Sequence, residues 1–244
     1  MRIAEAHRVG DDVIAGFMRT IKPMDFYQKR TRSGWIFILL ALLCVSIFAA
    51  DTLVLSQKLF DYVQWKYGAT AKQRVMDWEK TIGEGKKLPE PEKLQLTNDF
   101  FNRVPYYTDQ EHWGGGNYWA TPVETLATNG GDCEDYAIGK YFTLLAMGMP
   151  MDKLKITYAK ALKTNQPHMI LAYYDTPNAD PLILDNLDKV IRHGAERDDL
   201  MPVYSFNADG LWLAKERGNG RRISGSDRFS IWNDLIARMS AEAK

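Results

Sequence analysis

Residues 129–150 read NGGDCEDYAIGKYFTLLAMGMP and set one thiol, Cys133, directly after two glycines and among Asp132, Glu134 and Asp135. A thiol at the first position of a helix lies in the partial positive charge of the N-terminus, which favours the thiolate and lowers its pKa from about 8.5. That is the chemistry of a nucleophile, and it needs a proton acceptor, normally a histidine held by a third polar group. His168 opens the strand-like run HMILAYY and Asp185 closes PLILD, 35 and 52 residues after the thiol. The turn DTPNADP joins the two runs, so antiparallel pairing sets residue 168 roughly opposite 185 to 188. Asp185 then reaches the imidazole if both side chains share a face. His112, in QEHWGGGN, and His193, in KVIRHGAERDD, have no such partner. Each residue also has a plainer reading: a small core cysteine, a structural histidine, an aspartate in a turn. Their joint occurrence favours the nucleophile, base and orienter.

The acids around the thiol pull the other way. Asp132, Glu134 and Asp135 oppose a thiolate, because like charges within about 4–6 Å raise its pKa. A bound cation would reverse that sign. Oxygen ligands on a turn suit Ca²⁺, with Asn186 near the hairpin end as a further oxygen. The alternative is that acids in a first helical turn only complement the helix dipole, by about 0.3–1 kcal/mol each. From the residues alone that alternative is the stronger.

The elements that must position these groups follow from periodicity. The segment 133–147 reads as a helix with Asp132 as N-cap, an apolar face of Ala137, Ile138, Tyr141, Leu144 and Leu145, and Gly148 and Pro150 as its stop. Before it, QKLFDYVQWKYGATAKQRVMDWEKTI reads as one or two amphipathic helices, TIGEGKKLPEPEK as a polar connection, and LQLTNDFFNRVPYYTD as another helix ending near Pro105. After it the period changes to two. KITYAKAL, HMILAYY and PLILDNL read as strands, PVYSFN and LWLAKE flank a hairpin turn, and RFSIWNDLIARM reads as a closing helix. Helices first and antiparallel strands after make the fold class α+β. Trp119, in WATPVE, lines the cleft, helps to form an oxyanion site or packs in the core; HWGGGN reads as a lid or a surface loop and RGNGRR as a solvated loop.

The chain has 244 residues, 45% hydrophobic and 25% charged, an ordinary globular composition with one exception. Ser33–Ala50 contains no charged side chain; Lys29, Arg30 and Arg32 precede it and Asp51 follows. The positive-inside bias predicts a cytoplasmic leader at 1–32 (with Met24 as an alternative start), a signal peptide or membrane anchor at 33–50, and one exported domain at 51–244. Phe48 or Ile47 would occupy the −3 position of a cleavage site, so cleavage and anchoring both stay open. Cys44 lies within the apolar run, which leaves Cys133 as the single exported cysteine. In an oxidising compartment such a thiol is buried or used. The exported part carries 24 basic and 27 acidic residues, a balance with nothing to suggest nucleic acid.

GGDCEDYA followed by LLAMGMP, PHMILAYY and LILDNL resembles the transglutaminase-like cysteine proteases, above all their bacterial periplasmic branch of LapG type, which trims biofilm adhesins. The resemblance runs from about Val54 to Trp232 and includes WATPVETLATNGGDCEDYA and DLMPVYSFN. It implies a papain-like α+β fold with the nucleophile helix packed on an antiparallel sheet. It further implies Cys133 as nucleophile, His168 as general base and acid, and Asp185 as orienter. Calcium-dependent activity is implied as well, with Asp132, Glu134 and Asp135 as metal ligands. The implied substrate is a large surface adhesin cut near its N-terminus, and the implied inhibitor an inner-membrane cyclic di-GMP receptor of LapD type. The same fold also serves transglutaminases, which hand the acyl group to an amine, and binding modules that have lost the chemistry. The long leader and poor cleavage site depart from a simple secreted member.

Overall fold

The computed structural model describes residues 55–213, 222–224 and 230–242. The leader and the apolar run at 33–50 lie outside the described residues, as does most of RGNGRR.

Helix α1 (Gln57–Tyr67) starts where the Ser56 hydroxyl accepts the N–H of Leu59 at 3.2 Å, and it buries Leu59, Phe60 and Val63. Gly68, at φ 92°, breaks it from α2 (Ala69–Gly85). This resolves the first amphipathic stretch into two helices. Part of the expected polar connection is also helical, because Thr81, Ile82 and Gly85 are buried on α2. A Cβ on Gly85 would stand 2.4 Å from the Met147 side chain, so glycine permits that approach. Helix α3 (Glu90–Phe101) follows, with Pro91 in its first turn. Two short helices, α4 (Asp109–His112) and α5 (Pro122–Thr128), each begin with a threonine–glutamate capping box.

Helix α6 (Cys133–Ala146) is the centre of the molecule. Ile138, Tyr141 and Leu144 are fully buried, and Trp78 of α2 donates its indole N–H to Thr143 at 2.7 Å. Against it lies an antiparallel sheet of β1 (Leu154–Ala161), β2 (Gln166–Tyr173), β3 (Leu182–Leu184), β4 (Arg192–His193), β5 (Leu200–Asn207), β6 (Gly210–Leu213) and β7 (Arg222–Ser224). The strand order is β4-β3-β2-β1-β5-β6-β7. Leu154, Ile156, Met169, Leu171, Leu184 and Phe206 share the core with α6, while Ala159, Ile170, Ala172 and Ile183 form a smaller cluster. The closing helix α7 (Ser230–Glu242) adds Trp232, which stacks on Phe142. Trp119 is a core residue: 3% exposed, it stacks on Phe206. The α+β class therefore holds, with one sheet and one helical layer sharing a core.

Candidate active site

The two glycines before Cys133 are there for space. A Cβ on Gly130 would meet the Tyr107 ring at 2.6 Å, and one on Gly131 would meet the Asp135 carboxylate at 2.6 Å. Gly131 forms a parallel bridge with Tyr106, and its carbonyl accepts the N–H of Tyr107 at 3.0 Å. The chain is thus pinned immediately before the helix opens. Asp135 completes the pin. Its carboxylate is fully buried and accepts the N–H of Ala120 at 2.7 Å and that of Asp132 at 3.2 Å.

Cys133 is the first residue of α6 and the one free cysteine among the described residues. Its thiol donates to Glu134 at 3.0 Å. Burial, Glu134 and Asp132 push the thiol up, outweighing the N–H of Met169, which favours the thiolate. The dipole alone predicts a lowered pKa; the surrounding acids and burial override it. Met169 is the residue after His168, so the thiol and the imidazole belong to neighbouring parts of α6 and β2.

His168 is 4% exposed, and its Nε2 hydrogen-bonds Asp185 Oδ1 at 2.7 Å. The β2–β3 ladder pairs Leu171 with Leu184 and ends there, so Asp185 reaches the ring diagonally from the point where the chain turns away. The turn is tight: the N–H groups of Asn186 and Leu187 also donate to Oδ1, at 2.6 and 3.1 Å. The second oxygen, Oδ2, accepts from Arg197 at 2.7 Å, and the same guanidinium grips Asp199. Burial works against the Asp185 charge, but His168, Arg197 and the Leu187 N–H hold its carboxyl well below the usual carboxylate range.

Sequence reasoning missed three residues that fix Asp185. Arg197 is buried at the end of a polar turn-like stretch, where no periodicity singles it out. Lys140, on α6 itself, is fully buried and donates to the Asp185 carbonyl at 3.0 Å, and Asn102 donates to the same oxygen at 2.9 Å. Burial brings the Lys140 ammonium down to about 7, against the pull of Asp185 and Asp99. A signal for Lys140 is present: it is the one cation of a helix that is otherwise free of charge beyond its first turn, seven residues after the thiol. His112 bonds Thr128 at 2.8 Å, and His193 is exposed on β4; neither joins the His168–Asp185 pair.

Of the acids, Asp132 and Glu134 converge with the Cys133 sulfur, their ligand atoms all within 4.8 Å of one another. Asp135 stands outside that group, its oxygens engaged by backbone N–H groups. Asp132 Oδ1 is buried and accepts no hydrogen bond, and Asn186 Oδ1 is likewise buried without a partner. Burial, with Glu134 and Asp135 beside it, raises the Asp132 carboxyl far above its ordinary range. Asp109 adds to the acidic field and is itself raised, first by burial. An orphaned buried oxygen among crowded carboxylates fits a cation. The oxygens suit a hard ion such as Ca²⁺; a softer metal would recruit the Cys133 sulfur as well.

A sequence profile of the bacterial transglutaminase-like cysteine proteinases (BTLCP) matches residues 73–201. The chain belongs to that family. Among solved structures, it is 44% identical to calcium-bound Legionella pneumophila LapG, over 76% of this chain and 99% of that one, with a TM-score of 0.66. EGTA-treated LapG from the same organism gives 44% identity over 77% of this chain and 99% of that one, with a TM-score of 0.67. No curated protein sequence matches at the same stringency. This proteinase is therefore of LapG type, and its helical layer on an antiparallel sheet is the transglutaminase-like fold.

Proposed function

We propose that this proteinase is an exported, calcium-dependent cysteine endopeptidase that cuts a large surface adhesin near its N-terminus and so releases it from the cell. The observation that carries the reading is the 2.7 Å bond between His168 and Asp185, beside the strand residue whose N–H faces the thiol of Cys133. Asp185 occupies Nε2, so His168 exchanges protons through Nδ1. Cys133 attacks the scissile carbonyl as His168 takes the thiol proton, and its backbone N–H is the natural donor to the oxyanion. His168 then gives the proton to the leaving amine, and water, deprotonated by the same ring, cleaves the thioester to free the acid and the thiol.

Asp132 and Glu134 are the residues that would hold Ca²⁺, with Asp135 fixing the backbone between them. When bound there, the ion would supply positive charge beside the thiol. Glu134 accepts the thiol hydrogen as the site stands, and engaging that carboxylate with a cation would leave the proton to His168. The charge pattern around the apolar run is the ground for a periplasmic location, reached either by cleavage after that run or with residues 33–50 retained as an anchor. The resemblance of the site motifs to the LapG-type branch is what suggests restraint by an inner-membrane cyclic di-GMP receptor of LapD type.

Mass spectrometry of adhesin incubated with the enzyme and calcium tests the chemistry. A cut backbone with water added is expected, and no product from Cys133→Ala. Isopeptide cross-links without cleavage would replace the protease by a transglutaminase. Wild-type processing by Cys133→Ala would remove the nucleophile assignment.

A further inference from the structure

Helix α1 carries two faces of different character. Leu59, Phe60 and Val63 pin it to the core, while the outward face holds Tyr62 at 45% exposure and Trp65 at 82%. Their rings lie 6.2 Å apart, and the Lys66 ammonium sits 5.5 Å from the Tyr62 ring and 4.8 Å from that of Tyr67. Tyr67 packs back against the core, so the outward group is Trp65, Tyr62 and Lys66. Single exposed hydrophobic residues are ordinary, but a tryptophan this bare, beside a half-exposed tyrosine and a lysine, is not. Tryptophan, tyrosine and lysine together are the composition of a membrane–water interface, where the rings rest at headgroup level and the ammonium meets phosphate.

We propose that this face of α1 docks on an anionic phospholipid surface and lays the catalytic domain against the membrane. Chain geometry puts that surface within reach. The uncharged run ends at Ala50 and α1 begins at Gln57. Seven residues span at most about 25 Å, and Trp65 lies only about 12 Å further along the helix. An interfacial layer on either side of a hydrocarbon core of about 30 Å falls inside that distance when the run is retained in the bilayer. The charge agrees. Asp61, the one acid of α1, is answered by Lys72 of α2 at 3.7 Å, which leaves the charges of Lys58 and Lys66 uncancelled on α1. The proposal rests on the arm of the proposed localisation in which residues 33–50 are retained, but it draws on no residue of the Cys133 site, so its failure leaves the protease reading untouched.

The test reconstitutes the full chain, with its apolar run intact, into phosphatidylethanolamine–phosphatidylglycerol vesicles. The emission of Trp65 is obtained as the difference between wild type and Trp65→Phe, which cancels the other tryptophans. A docked ring emits at short wavelength, is quenched by brominated lipid, and is protected from iodide. Tyr62→Ser with Lys66→Glu should weaken all three effects while processing of substrate in solution stays unchanged. Vesicles of zwitterionic lipid alone should show weaker protection. Emission at the solvent position, quenched by iodide and indifferent to brominated lipid, would overturn the proposal. So would shielding that arises only when a partner protein is added, because the face would then be a protein interface.

Discussion

A thiol whose hydrogen goes to a carboxylate is a poor nucleophile, and that is the state of Cys133 while Glu134 accepts from it. Glu134→Gln removes one charge from beside the sulfur. In EGTA the variant should be alkylated by iodoacetamide faster than wild type at neutral pH, about tenfold for each pKa unit recovered. It should also lose its response to calcium; an unchanged alkylation rate would show that Glu134 does not hold the thiol back. Arg197 acts at the other end of the site. Arg197→Met strips a cation from the buried Asp185 carboxylate and should cost about 3–5 kcal/mol in urea denaturation, with Arg197→Lys losing less. The pH sense follows from Asp185. Its folded pKa is depressed, so its contribution is present above the ordinary carboxylate pKa of about 4 and is lost as pH falls toward the folded value. Arg197→Met should therefore lose stability at a higher pH on acidification than wild type. His168 and Asp185 were legible together because one short hairpin joins them, and local pairing is what periodicity and turn residues report. Arg197 was not, because it reaches Asp185 from a turn whose path depends on the whole sheet.

Elements were legible where packing repeats with a regular period. Helix α6 was expected at 133–147 and is found at Cys133–Ala146, bounded by the anticipated Asp132 and Gly148. Strands β4 and β7, Arg192–His193 and Arg222–Ser224, escaped notice because they lie in polar stretches, whereas the equally short β3 sits in the apolar run PLILD. Within α6, Gly139 lets α3 come close: an added Cβ would stand 2.2 Å from the Phe101 ring. Gly139→Ala should cost about 1–3 kcal/mol by overpacking and lower turnover by shifting the helix that carries Cys133. Equal melting temperatures for the two proteins would show that Phe101 yields freely. The start of the same helix is where calcium should matter. EGTA is expected to suppress cleavage and lower the melting temperature, with Ca²⁺ restoring both and Mg²⁺ doing so poorly, since Mg²⁺ demands a tighter octahedron. Asp132→Ala should reproduce the chelated state. Full activity of protein shown metal-free by elemental analysis would return these acids to electrostatic trimming of a helix end.

Across the whole molecule the change from a helical to an alternating period identified an α+β chain, because, the closing helix α7 apart, the helices precede the strands in two continuous parts of the sequence. The strand order has a kinetic meaning. Every neighbouring pair in the sheet is consecutive in the chain except β1 with β5. Two meanders can therefore zip locally, and a single long closure, from Ala161 to Leu200, joins them. His168 and Asp185 belong to the first meander, while Cys133 arrives on a helix that must collapse onto it. Pulse-labelled hydrogen exchange during refolding should find amides of β1 and β2 protected no later than those of β5 and β6, with the start of α6 last. On the roles proposed above, a chain emerging unfolded on the far side of a membrane would then join His168 to Asp185 before Cys133 stood in place beside them. Such an order of assembly would keep a nascent protease from attacking its neighbours, or itself, until folding had finished.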